Sequence, residues 1–295
     1  MSTTLVADIG GSKSRFALSN SSGAFERMLV IDNDTVAGLD AAVARYLEET
    51  GARPRAATLA VAGPIGGEEV VLTNRPGWRL RRGEFAKRFG FLQLRVLNDF
   101  EAIAWAVPLL GAAQTRPLGK LVAVREGVKV VLGPGTGLGV AALLPANGRW
   151  HVLASEGGHA SFGPQEADEV EVFARLREEC GAVSAEAVLS GPGLVAGALA
   201  REPAAQAAAR LFVRLLGRFA GGLALTFKAL GGVYIAGGVA YGLGPLLDEP
   251  QFRSAFEAHP PHTSLLKTIP TFLITCEQPG LIGCAAVPDE HALTA

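Results

Sequence analysis

Two stretches of this chain, LVADIGGSKSRFAL from Leu5 and VVLGPGTGLGVAAL from Val130, overlay without a gap. Asp8 falls on Gly133, Gly10 on Gly135 and Ser12 on Gly137, and each stretch runs from an apolar strand through a glycine turn into a second apolar strand. Two such units, 125 residues apart, point to two related halves that each open on a hairpin. Neither carries a common nucleotide motif: G-x-x-x-x-G-K-[ST] is absent, and GPGTGLG misses the G-x-G-x-x-G spacing.

The segments around these hairpins predict an α/β architecture. Apolar runs at 5–9, 15–19, 56–63, 69–73 and 94–98 read as strands, and helical patterns alternate with some of them. Thr35 to Gly51 places Leu39, Val43, Tyr46 and Leu47 on one side and ends at a glycine suited to a helix C-terminus. A second helix follows 94–98 with almost no loop, and others are expected over Gln165–Gly181 and Ala204–Lys228. In the last of these, Arg210, Arg214 and Arg218 recur every four residues and read as a solvated stripe.

The composition excludes several classes of function. With 295 residues, 49% hydrophobic and 19% charged, the chain can bury a large core as one large or two medium domains. A net charge of −1 provides no field for nucleic acid or an anionic membrane. Three cysteines without a C-x-x-C predict neither a disulfide framework nor a cysteine zinc site, which fits a reducing cytoplasm. The N-terminus enters a strand without the pattern of an export signal. Ala229–Leu247 has 19 residues without a charge, but six glycines and Pro245 divide it, so a buried strand with flanking turns is expected there rather than a membrane span.

Glycine turns let backbone N–H groups converge on an anion with no Cβ in the way. Gly10, Gly11 and Ser12 offer such donors in the first half, with Lys13 and Arg15 near; Gly133, Gly135, Thr136, Gly137 and Gly139 offer them in the second. Asp8, at a strand end, suits magnesium held through water. Plain hairpin turns have the same composition, and it is the matched pair that favours phosphate. Asn98 and Asp99 stand where a strand meets a helix, the usual edge for an α/β active site, although an acid there also serves as a helix cap. SEGGHASF sets Glu156 and His159 around two glycines, and SAEAVLSGPGL places Glu186 before another turn. Carboxylates, an imidazole and an amide are what a polyhydroxylated ligand needs.

In order and spacing, LVADIGGSKSR, VAGPI, TNRPGW, LNDFEAIAWAVP, LGPGTGLGVA, SEGGHASFGP, SAEAVLSGPGLV, GGVYIAGGV and QPGLIG resemble the bacterial-type glucokinases over nearly the whole chain. The resemblance implies the duplicated actin-like ATPase (ribonuclease H-like) fold, two α/β domains around a cleft, with 1–109 plus 281–295 in the smaller and 110–280 in the larger. It implies phosphorylation of glucose or a similar hexose by ATP with Mg2+, in a cytoplasmic protein that is a homodimer and binds neither nucleic acid nor membrane. Asp99 matches the catalytic aspartate. Asn98, Glu156, His159 and Glu186 match residues that hold sugar hydroxyls. Asp8, Gly10, Gly11 and Ser12 match the first phosphate loop, Gly135, Thr136 and Gly137 the second, and Gly237 and Gly238 the turn near adenosine. The chain departs from the family at Ser12-Lys13, where Thr-Asn is usual, and in a shortened connection at 196–210; the cysteine-rich zinc motif of the sister ROK kinases is absent. A kinase for another hexose and a catalytically weak sugar sensor of the same fold remain the alternatives, whereas an actin-like or chaperone-like ATPase would need no sugar cluster.

Overall fold

The computed structural model describes residues 3–20, 23–191 and 203–288. Its contacts separate two units, Met1–Leu109 with Glu277–Ala295, and Leu110–Cys276. Of the shortened connection at 196–210, residues 196–202 lie outside the described residues and 203–210 open helix Pro203–Thr226.

The first unit contains β1 (Thr4–Ile9), β2 (Lys13–Ser19), β3 (Phe25–Asp32), β4 (Ala56–Val61), β5 (Glu69–Leu72), β6 (Arg75–Arg81) and β7 (Gln93–Asn98). Five of these form one sheet in the order β3-β2-β1-β4-β7, while β5 and β6 pair separately. β1, β2 and β3 are antiparallel neighbours, and β1, β4 and β7 are parallel. The parallel links need crossovers, which helices Leu39–Thr50 and Arg82–Phe89 provide. The first helix begins four residues later than its pattern suggested, because Asn33–Thr35 forms a separate 3-10 turn, and it stops at Gly51 with φ +65°. Leu39, Val43 and Tyr46 lie in the core, with Tyr46 stacked on Phe16 at 5.3 Å between ring centres.

The second unit repeats this plan with β8 (Thr115–Pro117), β9 (Lys129–Pro134), β10 (Leu138–Ala146), β11 (Arg149–Ser155), β12 (Val233–Ile235) and β13 (Thr271–Ile274). Its sheet order is β11-β10-β9-β12-β13-β8. β9, β10 and β11 are antiparallel, and β9, β12 and β13 are parallel. Strand for strand this is the order of the first unit with β8 added at one edge, so the duplication extends from the hairpins to the whole sheet. The hairpins themselves differ by one residue. Ile9 pairs with Ser14 across four turn residues, and Pro134 pairs with Leu138 across three. The ungapped overlay therefore holds for the outgoing strands and slips by one on the return.

The arginine stripe is solvated only at its start: Arg210 is half exposed, Arg214 partly buried and Arg218 buried. Helix Pro203–Thr226 is buried at Leu215, Leu216, Phe219, Ala220 and Ala224, so its flank faces protein. Arg210 pairs with Glu249, Arg214 with Asp168 at 2.7 Å, and Arg218 with Glu169 at 2.6 Å. The uncharged stretch from Ala229 forms β12 and two short helices, and no described helix is long and apolar enough to cross a membrane.

Candidate active site

In the first unit, parallel register brings the sequence-selected residues to one sheet edge. Ile9, Val61 and Asn98 share a row, so the turn after β1 and the start of helix Asp99–Ala106 leave the same edge two strands apart, about 10 Å. The turn is braced from behind. The buried Asn33 side chain donates to the Gly10 carbonyl at 2.8 Å and the Gly11 carbonyl at 3.3 Å, and its backbone N–H reaches the Ser12 carbonyl at 2.9 Å. Arg75 also donates to the Gly11 carbonyl and pairs with Asp34. The Gly10 N–H closes the turn on the Lys13 carbonyl at 3.1 Å, which leaves the N–H groups of Gly11 and Ser12 for a ligand, followed by the exposed Lys13.

Asp8 lies next to this turn, and burial pushes its carboxyl above the usual carboxylate range; Arg15, with Nη1 3.9 Å from Oδ2, works against that. The carboxyl also rests on the C-terminal helix Pro279–Ala286, where a Cβ placed on Gly280 would lie 3.0 Å from Asp8 Cγ. Its raised folded pKa favours the protonated form, so the stabilising contribution is present below the ordinary carboxylate value and is lost as pH rises through the folded value. Ionising this carboxyl thus costs stability. Asp8→Asn is expected to raise the Tm of the ligand-free protein at pH 7.5 and to lose that gain near pH 4. Thermal unfolding at both values checks this, and an equal change at the two would contradict it.

Asn98, not Asp99, caps the helix. Its Oδ1 accepts from the N–H groups of Phe100 at 2.9 Å and Glu101 at 3.4 Å, Glu101 returns the capping-box bond, and Nδ2 donates to the Gly63 carbonyl at 3.2 Å. Asp99 occupies the first helical position, partly exposed, with Oδ1 accepting from Phe100 N–H at 2.9 Å. One amide hydrogen of Asn98 remains for a ligand beside it.

In the second unit the turn is narrower than the sequence suggested. Gly133 and Gly139 face each other in the β9–β10 ladder, which leaves Gly135, Thr136 and Gly137 as the turn. Glu186 Oε2 accepts from the Leu138 N–H at 2.8 Å, and a Cβ on Gly137 would lie 2.6 Å from that oxygen. His159 Nδ1 is 3.8 Å from Glu186 Oε1, and Nε2 is 3.9 Å from Glu156 Oε2. At 59% side-chain exposure His159 is no core histidine, so this cluster presents polar groups outward. Gly158 makes the approach possible, since a Cβ there would meet the Leu138 carbonyl at 1.9 Å. Gly237, at φ +94°, starts helix Gly238–Gly242, and its own Cβ position lies 2.4 Å from the Pro134 carbonyl. Thus Glu156, His159, Glu186, the Gly135–Gly137 turn and the Gly237–Gly238 turn gather within this unit.

These groups fit the ligands they would serve. Glycine turns present backbone N–H groups with no Cβ in the way, which suits phosphate oxygens, and one carboxylate beside such a turn suits magnesium that keeps most of its water. No group of three or more metal-binding side chains occurs among the described residues, so any such ion would depend on phosphate and water for its remaining ligands.

A family model described as Glucokinase matches residues 5–197 and 195–291. The glucokinase of Chelativorans sp. is 41% identical over 96% of this chain and 90% of its own length. The bifunctional protein glk of Burkholderia lata is 39% identical over 97% of this chain, but only 48% of that protein is covered, so the chain spans about half the length of such relatives. The crystal structure of a glucokinase from an Antarctic psychrotroph superposes with a TM-score of 0.84 at 33% identity, covering 97% of this chain and 98% of that one. The fold is the duplicated actin-like ATPase fold.

Proposed function

The chain belongs to the glucokinase family, and from that premise we propose that it transfers the terminal phosphoryl group of ATP to the 6-hydroxyl of glucose. The observation that carries this reading is the second-unit cluster, in which the sugar-binding types Glu156, His159 and Glu186 stand together beside a phosphate-type turn, with Glu186 bonded to the Leu138 N–H that directly follows it.

In this reading Glu156, His159, Glu186 and Asn98 hold the hydroxyls of one sugar. Asp99 accepts the proton of the 6-hydroxyl as its oxygen bonds to the γ-phosphorus and the bond to the β-phosphate oxygen breaks, releasing ADP. The turns at Gly10–Ser12 and Gly135–Gly137 orient the phosphates, and Gly237–Gly238 lies on the adenosine side. Asp8 would hold magnesium through water, and the ion would supply neutralisation of phosphate charge. The protein residues supply alignment, and the proton needs only one base. A homodimer in the reducing cytoplasm completes the proposal; Cys180, Cys276 and Cys284 stand without disulfides, which agrees with a reducing compartment, and sedimentation equilibrium tests the subunit number.

Purified protein is expected to convert glucose and MgATP to glucose 6-phosphate, with lower kcat/KM for mannose, fructose and glucosamine. Glucose binding in calorimetry with no phosphate transfer would replace the kinase by the sensor, and a better rate with another sugar would reassign the substrate.

A further inference from the structure

The loop that carries Glu156 and His159 runs from β11 to helix Val170–Cys180, and its course is set by contacts far from the sugar cluster. The Ala160 carbonyl accepts from the Ala185 N–H at 3.0 Å, and the Phe162 N–H donates to the Val183 carbonyl at 3.0 Å, which ties the loop to the short helix Ala185–Val188 that carries Glu186 and to the residues just before it. Beyond Phe162 the loop is held by two side chains of helix Pro203–Thr226: Arg214, 2.7 Å from Asp168 and 3.2 Å from Glu169 Oε1, and the more deeply buried Arg218. Arg218 places its guanidinium 4.6 Å from the Phe162 ring centre, donates through Nη2 to the Gly163 carbonyl at 2.7 Å and through Nη1 to Glu169 Oε2 at 2.6 Å. The same Glu169 oxygen accepts from the N–H groups of Gln165 at 2.8 Å and Glu166 at 3.4 Å.

Both partners are buried, Arg218 at 7% and Glu169 at 1% side-chain exposure. Desolvating two charges offsets most of their attraction, and well-packed apolar residues of similar volume commonly stabilise as much. What the ion pair contributes beyond that is geometry: a planar fork that fixes a carbonyl, a carboxylate and a ring at once.

We propose that Arg218, with Glu169, is a positioning residue that sets the sugar affinity of the Glu156–His159 loop without touching the sugar. This rests on the assignment of that loop to hexose binding. Arg218→Met keeps much of the stem and removes the fork, and Arg218→Lys keeps the charge and safeguards folding. In the full-length protein, Arg218→Met is expected to raise glucose KM and calorimetric Kd about tenfold while kcat stays within about threefold and the KM for ATP within about twofold, since only the sugar loop is displaced. Arg218→Lys should give the same selective pattern at about threefold. Arg210→Ala, on the same flank but paired with Glu249, should leave every constant at the wild-type value. In the absence of any ligand, amide exchange in Arg218→Met should quicken over 156–169 while β9 and β10 keep wild-type protection. Unchanged exchange in that loop, or folded variants with wild-type glucose affinity, would overturn the proposal. So would a fall in kcat alone that matched the loss of folded protein. A wild type that phosphorylates no sugar would instead overturn the proposed function, and the exchange experiment would still decide the role of Arg218 in holding the loop.

Discussion

Asp99→Ala is expected to lower kcat for glucose by about 10²–10⁴-fold, the usual contribution of a positioned general base, with glucose affinity within about tenfold of wild type. The placement of Asp99 makes this a clean experiment. Asn98 and Glu101 form the capping box, and Asn98 Oδ1 still accepts from the Phe100 N–H when Asp99 and its own bond to that group are removed, so the helix keeps its cap. Asp99→Asn preserves the shape and an acceptor for the Phe100 N–H but cannot take the proton, and should fall as far as alanine. Steady-state kinetics on both variants checks the expectation. A kcat within tenfold of wild type would remove Asp99 from the mechanism.

The largest expected effect on stability comes from Gly283→Ala. Helix Pro279–Ala286 lies against helix Asp99–Ala106 so closely that a Cβ at Gly283 would stand 1.6 Å from the Ala102 carbonyl oxygen and 2.5 Å from its carbon. These are backbone atoms, so relief requires the helices to part. Overpacking of this kind costs about 3 kcal/mol, or a Tm loss on the order of 10 °C. Because the displaced partner begins with Asp99, kcat should fall as well. Gly222→Ala is the contrasting case, lying in helix Pro203–Thr226 with nothing within 4 Å of its Cβ position, and should be neutral or stabilising by up to about 1 kcal/mol. Thermal melts of the two variants separate close helix contact from a general intolerance of methyl groups; equal Tm values would show that the contact is not close.

The central strands were legible because they are buried on both faces and so appear as uninterrupted apolar runs between glycines. β3 and β6 were not, since FERMLVID exposes most of its side chains, Met28 and Val30 included, and RPGWRLR combines proline and glycine with arginines. The residues that brace the site were hidden for a different reason. Asn33 and Arg75 reach the first turn from 22 and 64 residues away in sequence, and Glu169 meets Arg218 across 49. Spacing within a segment carries no trace of such partners. The stripe of arginines was misread because helical period describes a face and leaves open what lies against it. One signal was available and unused: Asn98 and Glu101 have the spacing of a capping box, which distinguishes the cap from the neighbouring acid.

The first unit is completed by residues from the other end of the chain. Gly280 meets Asp8, Cys284 donates to the Ala7 carbonyl at 3.5 Å, and Gly283 meets the helix that Asp99 begins. Some 170 residues of the second unit therefore separate the sheet of the first unit from the helix that covers it. A fragment that stops anywhere in that interval has no cover behind the acid, so the first unit needs Pro279–Ala286 to be whole.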